Sequence, residues 1–179
     1  MGTIKTTNIE PIADNGTVTL GSSGDTFTLG SGVVQSNLNY PAFAVNLNAE
    51  QSISSSSFTK VNFDTEIFDS DNMYDNSTNY RFTPNVAGKY VVYCAGRGDA
   101  GGSNLQNMWV RLEMNSTGNA LTYQYCNFAP NNLDNFTLNA LGTLSFNGSS
   151  DYVEMWGNFN VTTSTGTVNS ASLSTFGGY

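Results

Sequence analysis

There is no histidine in this chain. Catalytic arrangements that use an imidazole as base, whether Ser/His/Asp or Cys/His, are therefore excluded. Basic residues are nearly as scarce. Six Lys and Arg stand against fourteen Asp and Glu, for a net charge of −8. The six are scattered, so the clustered positive footprint that nucleic acid requires is missing. The same deficit disfavours anionic membrane surfaces. No apolar run approaches the length of a membrane span, and membrane insertion is not expected. The two cysteines, Cys94 and Cys126, have neither a metal nor a redox spacing. They read as free thiols for a chain made in a cytoplasm, although spacing alone leaves their pairing open. Met1-Gly2-Thr3-Ile4-Lys5 lacks the apolar core of a signal peptide, which is why cytoplasmic synthesis is expected. No window shows the i, i+3, i+4 spacing of an amphipathic helix. No Gly-rich loop carrying a Lys leads from a strand into a helix, so no nucleotide cradle is visible. A carboxylate pair for glycoside hydrolysis arises easily by chance among fourteen acidic residues, and solvated surface carboxylates are the simpler account. Neither an enzyme nor a cofactor is expected.

What is present is amide, hydroxyl and aromatic. Asn occurs 24 times and aromatics make up 12% of the chain, against 11% charged residues. The surface is thus kept wet largely by uncharged polar groups. Gly occurs 18 times and Pro only four, a balance that suits many short turns.

The run from Phe58 to Cys94 carries most of the structural information. Val61 and Phe63, then Tyr80 and Phe82, alternate with polar residues, which is the period of half-buried strands. Pro84 cannot donate to a sheet ladder and Gly88 permits positive φ, so Pro84 to Gly88 reads as a turn. Lys89 to Cys94 is apolar on both faces, as in a strand buried in its own core and against neighbours. Further along, Phe43 to Leu47 reads as a strand. Met108, Val110, Leu112 and Met114 alternate with Trp109, Arg111, Glu113 and Asn115 in another. Leu121 to Tyr125, Leu141 to Phe146, Asp151 to Trp156, Phe159 to Val161 and Ser172 to Phe176 follow, with Asn147-Gly148 as a strong turn signal. Eight to ten short strands separated by turns imply a β-sandwich or jelly roll.

Residues 1–38 differ in composition, with Phe27 as their one aromatic. Thr17-Val18-Thr19-Leu20-Gly21-Ser22 returns nine residues later as Thr26-Phe27-Thr28-Leu29-Gly30-Ser31. So small a unit cannot bury its apolar face alone and must pack against copies or other chains. Residues 1–38 are therefore expected to form a β-repeat stalk or anchor, and 39–179 a separate domain.

In that second region, the residues resemble the C1q-like domain of the C1q/tumour-necrosis-factor superfamily. Pro41-Ala42-Phe43-Ala44-Val45 resembles its opening strand and Phe58 to Phe63 its next. Tyr74-Asp75, Phe82-Thr83-Pro84 and Gly88-Lys89-Tyr90 resemble its most recognisable stretch. Asp151 to Trp156 and Phe176-Gly177-Gly178-Tyr179 resemble its last strands. The resemblance implies an all-β, ten-strand jelly roll that assembles as a homotrimer, with Tyr90 and Val92 as trimer-interface residues. The collagen repeat of the animal members is absent. Residues 2–21 resemble the start of fibre proteins of marine tailed bacteriophages. The two resemblances together imply a non-enzymatic virion fibre with a trimeric knob, made in the host cytoplasm. It would be joined to other virion proteins through residues 1–38 and would contact a host-surface glycan or protein. A decoration or assembly protein without a receptor and a glycan-cleaving tailspike are the alternatives.

Several residues are candidates for contact. Asp64 to Asp75 collects five carboxylates in twelve residues. Within it Asp69, Asp71 and Asp75 are calcium candidates, against the simpler reading of a solvated turn in which Asp75 caps the residues before Tyr80. Arg97-Gly98-Asp99 lies in a Gly-rich stretch expected to form an exposed hairpin tip, and makes Arg97 and Asp99 receptor-contact candidates. Trp109, Trp156, Tyr123, Tyr125 and Phe128 offer aromatic platforms for sugar stacking, most of them expected in the core or at the trimer interface. Phe128 and Asn131, near a turn, are the preferred contacts of that group.

Overall fold

The computed structural model describes residues 41–118, 120–128, 133–162 and 165–179, with the isolated positions Ile9, Thr26 and Ser31. The expected β-repeat and Asn131 thus lie outside the described residues. Asn39–Tyr179 forms one compact unit. Its described residues contain strands and no helix. The strands are β1 (Phe43–Leu47), β2 (Gln51–Ser54), β3 (Thr59–Lys60), β4 (Thr65–Asp69), β5 (Tyr74–Asp75), β6 (Arg81–Phe82) and β7 (Gly88–Asp99), then β8 (Leu105–Met114), β9 (Ala120–Asn127), β10 (Asn135–Phe146), β11 (Val153–Val161), β12 (Thr165–Val168) and β13 (Ala171–Gly178).

The strands form two antiparallel sheets that face each other across one core. The first runs β4-β1-β13-β7-β10, with β12 and β2 continuing beside the far end of β7. The second runs β5-β6-β11-β8-β9, with β3 also on β11. The alternation read in the sequence decides which side chains enter the core. Met108, Val110 and Leu112 of β8 point inward, as do Tyr90, Val92 and Cys94 of β7, and all are buried.

At one end of the core, aromatic rings do the packing. Phe43 stacks on Phe82 at 4.2 Å between centroids and on Tyr74 at 5.3 Å, and meets Phe176 edge-on at 4.9 Å. Tyr90 meets Phe146 edge-on at 5.3 Å. Both buried phenols keep a partner, because a buried hydroxyl left unpaired is costly. Tyr74 donates to the Phe63 carbonyl at 3.2 Å and Tyr90 to the Val86 carbonyl at 2.9 Å. Toward the other end the sheets close in on β7. A Cβ at Gly96 would lie 2.7 Å from Met155 Cε and 2.8 Å from Val110 Cγ1, so any side chain there would force these core residues to shift.

Several elements differ from the sequence expectation. β7 and β10 are longer than Lys89–Cys94 and Leu141–Phe146, because each is the other's ladder partner from Gly88↔Phe146 to Asp99↔Asn135. β11 runs unbroken through Gly157. Part of the acidic stretch is strand β4, paired with β1. Val61 and Phe63 are wholly buried yet lie outside any strand.

Candidate functional site

The first sheet's outer face carries exposed apolar side chains. In β7, alternation sends Val91 and Tyr93 outward, between the inward Tyr90, Val92 and Cys94. Leu141 lies directly opposite Tyr93 across the β10 ladder, and Gly177 opposite it on the β13 side. Tyr179 pairs with Val91 through two backbone hydrogen bonds of 2.9 and 3.0 Å. Register therefore places Leu141, Tyr93, Val91 and Tyr179 in one patch. Leu141 is 64% exposed and Tyr179 65%. Gly177 is the residue that lets Tyr93 lie flat, since a Cβ there would collide with the Tyr93 hydroxyl.

Tyr90 and Val92 were expected at a trimer interface, and the structure corrects this. Both are fully buried among the chain's own strands. A shift of one residue along a strand changes the face, so the outward positions of the same strand are Val91 and Tyr93.

The outer face of the second sheet is aromatic and polar. Trp109, Arg111 and Glu113 of β8 point away from the core, as do Glu154, Trp156 and Asn158 of β11 and Tyr123 and Tyr125 of β9. Trp109 stacks on its cross-strand neighbour Tyr125 at 4.1 Å and 29°. Phe58 approaches the Trp109 ring edge-on at 6.3 Å and lies under the Arg111 guanidinium at 3.8 Å. Arg111 Nη2 pairs with Glu113 at 2.7 Å, and Lys60 Nζ with Glu154 at 3.1 Å. Glu154 also accepts from Ser116 Oγ and Trp156 Nε1. Phe58, Trp109, Arg111, Ala120 and Tyr123 line a cavity of about 200 Å³.

The acidic segment is built as a set of caps. Asp75 Oδ1 accepts from the Ser77 and Thr78 backbone N–H groups at 3.1 and 2.8 Å, and Oδ2 from Asn79 N at 3.1 Å and Asn79 Nδ2 at 2.7 Å. These bonds, the Thr78 amide first, hold the Asp75 carboxyl well below the usual carboxylate range. The expected capping role of Asp75 is what the structure displays. Asp69 Oδ2 accepts from Tyr74 N at 2.7 Å, and Asp71 Oδ2 from Ser70 Oγ at 3.0 Å. Among the described residues no three carboxylates or thiols converge as a metal ligand set, so Asp69, Asp71 and Asp75 are not brought together.

Two further expectations are corrected. Arg97-Gly98-Asp99 is not a hairpin tip but the end of β7, because Gly96 and Gly98 turn a hydrogen side toward the core where Met108, Val110 and Phe159 press close. Arg97 spends its guanidinium on Asn169 Oδ1 at 3.2 Å and Asn135 Oδ1 at 2.7 Å, and Asp99 accepts from Gly101 N at 2.7 Å. Phe128 is only 7% exposed and packs on Phe136 at 4.8 Å. Trp109, Tyr123 and Tyr125, expected mainly in core or interface, lie outside the core on the second sheet's outer face. The alternation of Trp109 and Arg111 with core residues was visible in the sequence; the approach of Phe58 and Tyr125 depends on fold and register. Cys94 and Cys126 are free thiols, and burial pushes the Cys94 thiol up to about 12.

No protein-family model and no curated protein matches the sequence. Solved structures do match. Murine APRIL superposes with a TM-score of 0.56 at 10% identity, over 78% of this chain and 97% of that one. The globular domain of zebrafish complement 1qA matches with 0.47 at 17% identity, over 78% and 95%. Eiger TNF from S. frugiperda matches with 0.47 at 11%, over 77% and 88%. With the two-sheet topology above, the fold is a C1q/TNF-like jelly roll.

Proposed function

We propose that this C1q/TNF-like jelly roll works as a non-enzymatic homotrimeric knob of a bacteriophage virion fibre, attached through residues 1–38 and touching a host-surface receptor. The observation that carries the trimeric part is the contiguous patch of Val91, Tyr93, Leu141 and Tyr179 on the first sheet. Soluble monomers rarely expose such a patch without a partner for it. A closed ring of identical chains covers it with one kind of contact, and threefold display then lets weak single sites act together. The resemblance of residues 2–21 to phage fibre starts supports the virion setting.

Light scattering on the purified chain at micromolar concentration tests the assembly, with three times the 19.2 kDa chain mass expected. Incubation with intact host cells tests the receptor. Retention on cells and interference with infection are expected; labelling of virions without any binding to cells would favour the decoration role instead.

A further inference from the structure

We propose that the aromatic cleft on the second sheet's outer face binds a neutral pyranose sugar. This deepens the receptor reading by naming a ligand class and a place, and for its biological role it rests on that reading.

Trp109 is the centre of the argument. Its ring is held by stacking on Tyr125 and lines the cleft together with Tyr123, which is 59% exposed. The apolar C–H face of a pyranose lies flat on such a surface, and a cavity of about 200 Å³ suits one ring better than a large ligand.

The second observation is independent of the rings. Among the described residues, three buried side-chain polar atoms have no hydrogen-bond partner: Asn107 Oδ1, Arg111 Nε and Asn158 Oδ1. All three residues are immediate neighbours of Trp109. Asn107 and Arg111 flank it two positions away on β8, and Asn158 lies directly across from it on β11. Asn158 as a whole is only 7% exposed. Unpaired buried groups are rare in folded proteins, and of these three residues Arg111 is the one that lines the cleft. A sugar hydroxyl in the cleft supplies the partner that Arg111 Nε lacks, because it can accept from a guanidinium N–H. Phe58, just before β3, lies against the Arg111 guanidinium and forms one wall of the cleft.

Charge selects the neutral class. Arg111, the one cation among the described residues lining the cleft, is matched by Glu113, and nearby Lys60 by Glu154, so the cleft itself offers no unmatched cation to a uronic or sialic acid. The chain's net charge of −8 acts in the same direction.

The chain's two tryptophans, Trp109 and Trp156, both lie on this face, so intrinsic fluorescence reports directly on the cleft. The full chain is titrated with methyl glucoside, galactoside, mannoside and N-acetylglucosaminide, and with glucuronic acid. At least one neutral glycoside should shift the emission with a Kd on the order of 1 mM. Trp109→Phe and Tyr123→Ala should each weaken it at least tenfold, while Tyr179→Ala, on the other sheet, should not. No response to any neutral glycoside, a response to glucuronic acid alone, or equal loss in Tyr179→Ala would overturn the proposal. Cell binding separates the two readings. Wild type that binds host cells without any glycoside response retains the receptor role and loses this site. A glycoside response without cell binding retains the site and loses the receptor role.

Discussion

Replacing Leu141 with Glu separates assembly from folding. Leu141 is 64% exposed on the outer face of β10, so the substitution leaves the core untouched. In an isolated chain an exposed change of this kind shifts stability by no more than about 0.5 kcal/mol. In a trimer that covers the patch, the cost is different. Fully burying a leucine side chain contributes about 1.5–3 kcal/mol, so covering the exposed 64% contributes about 1–2 kcal/mol per protomer. Three protomers lose about 3–6 kcal/mol together, and at 1.4 kcal/mol per tenfold the assembly constant falls by about two to four orders of magnitude. Desolvation of the new carboxylates adds to this. Light scattering over a dilution series reads the mass, and urea unfolding of the dissociated variant reads the fold. The expected variant is a folded monomer at concentrations where the wild type is trimeric. A variant that holds together as tightly as the wild type refutes the placement of Leu141 in the interface.

Other substitutions probe the interior and the caps. Phe43→Ala should cost about 3–5 kcal/mol in urea unfolding, because Phe43 is fully buried against Phe82, Tyr74 and Phe176; a loss below about 1 kcal/mol would mean these rings do not organise the core. Asp75→Asn should flatten the acid side of the stability profile. The folded carboxyl titrates below its unfolded value of about 3.9, so its contribution is present above that pH and disappears as pH falls through the folded pKa. The wild type should therefore be the more stable at neutral pH, with the gap narrowing below about pH 4; a gap independent of pH contradicts the capping role. A thiol reagent at neutral pH should modify Cys126 first and Cys94 only after unfolding, because Cys94 is buried and its thiol pushed up to about 12. Equal rates for both would show that β7 opens far more readily than its ladder suggests.

Much of the fold was legible from local pattern. Phe43–Leu47 and the alternation of Met108 to Met114 are short-range features, and a strand's period of two survives without tertiary help. The capping role of Asp75 was legible for the same reason, since its donors lie within four residues. Less legible was anything dependent on a partner strand. Arg97 to Asp99 looked like a glycine-rich loop, yet those glycines exist to let Met155, Val110 and Phe159 approach β7. Phe128 looked like a turn residue and is covered by Phe136. The cleft depends on Phe58 and Tyr125, far apart in sequence, meeting at Trp109 and Arg111.

The sequence by itself determined the class of molecule: strands at short intervals, no imidazole chemistry, no cationic surface, and a segment, Lys89 to Cys94, largely apolar on both sides. It did so because composition and period are properties of neighbouring residues. Which of that segment's two sides becomes the core was decided only in the tertiary structure. That choice needs the second sheet to cover Tyr90 and Val92, and it leaves Val91 and Tyr93 beside Leu141 and Tyr179. Facing is a property of pairs of sheets, and no single strand encodes it.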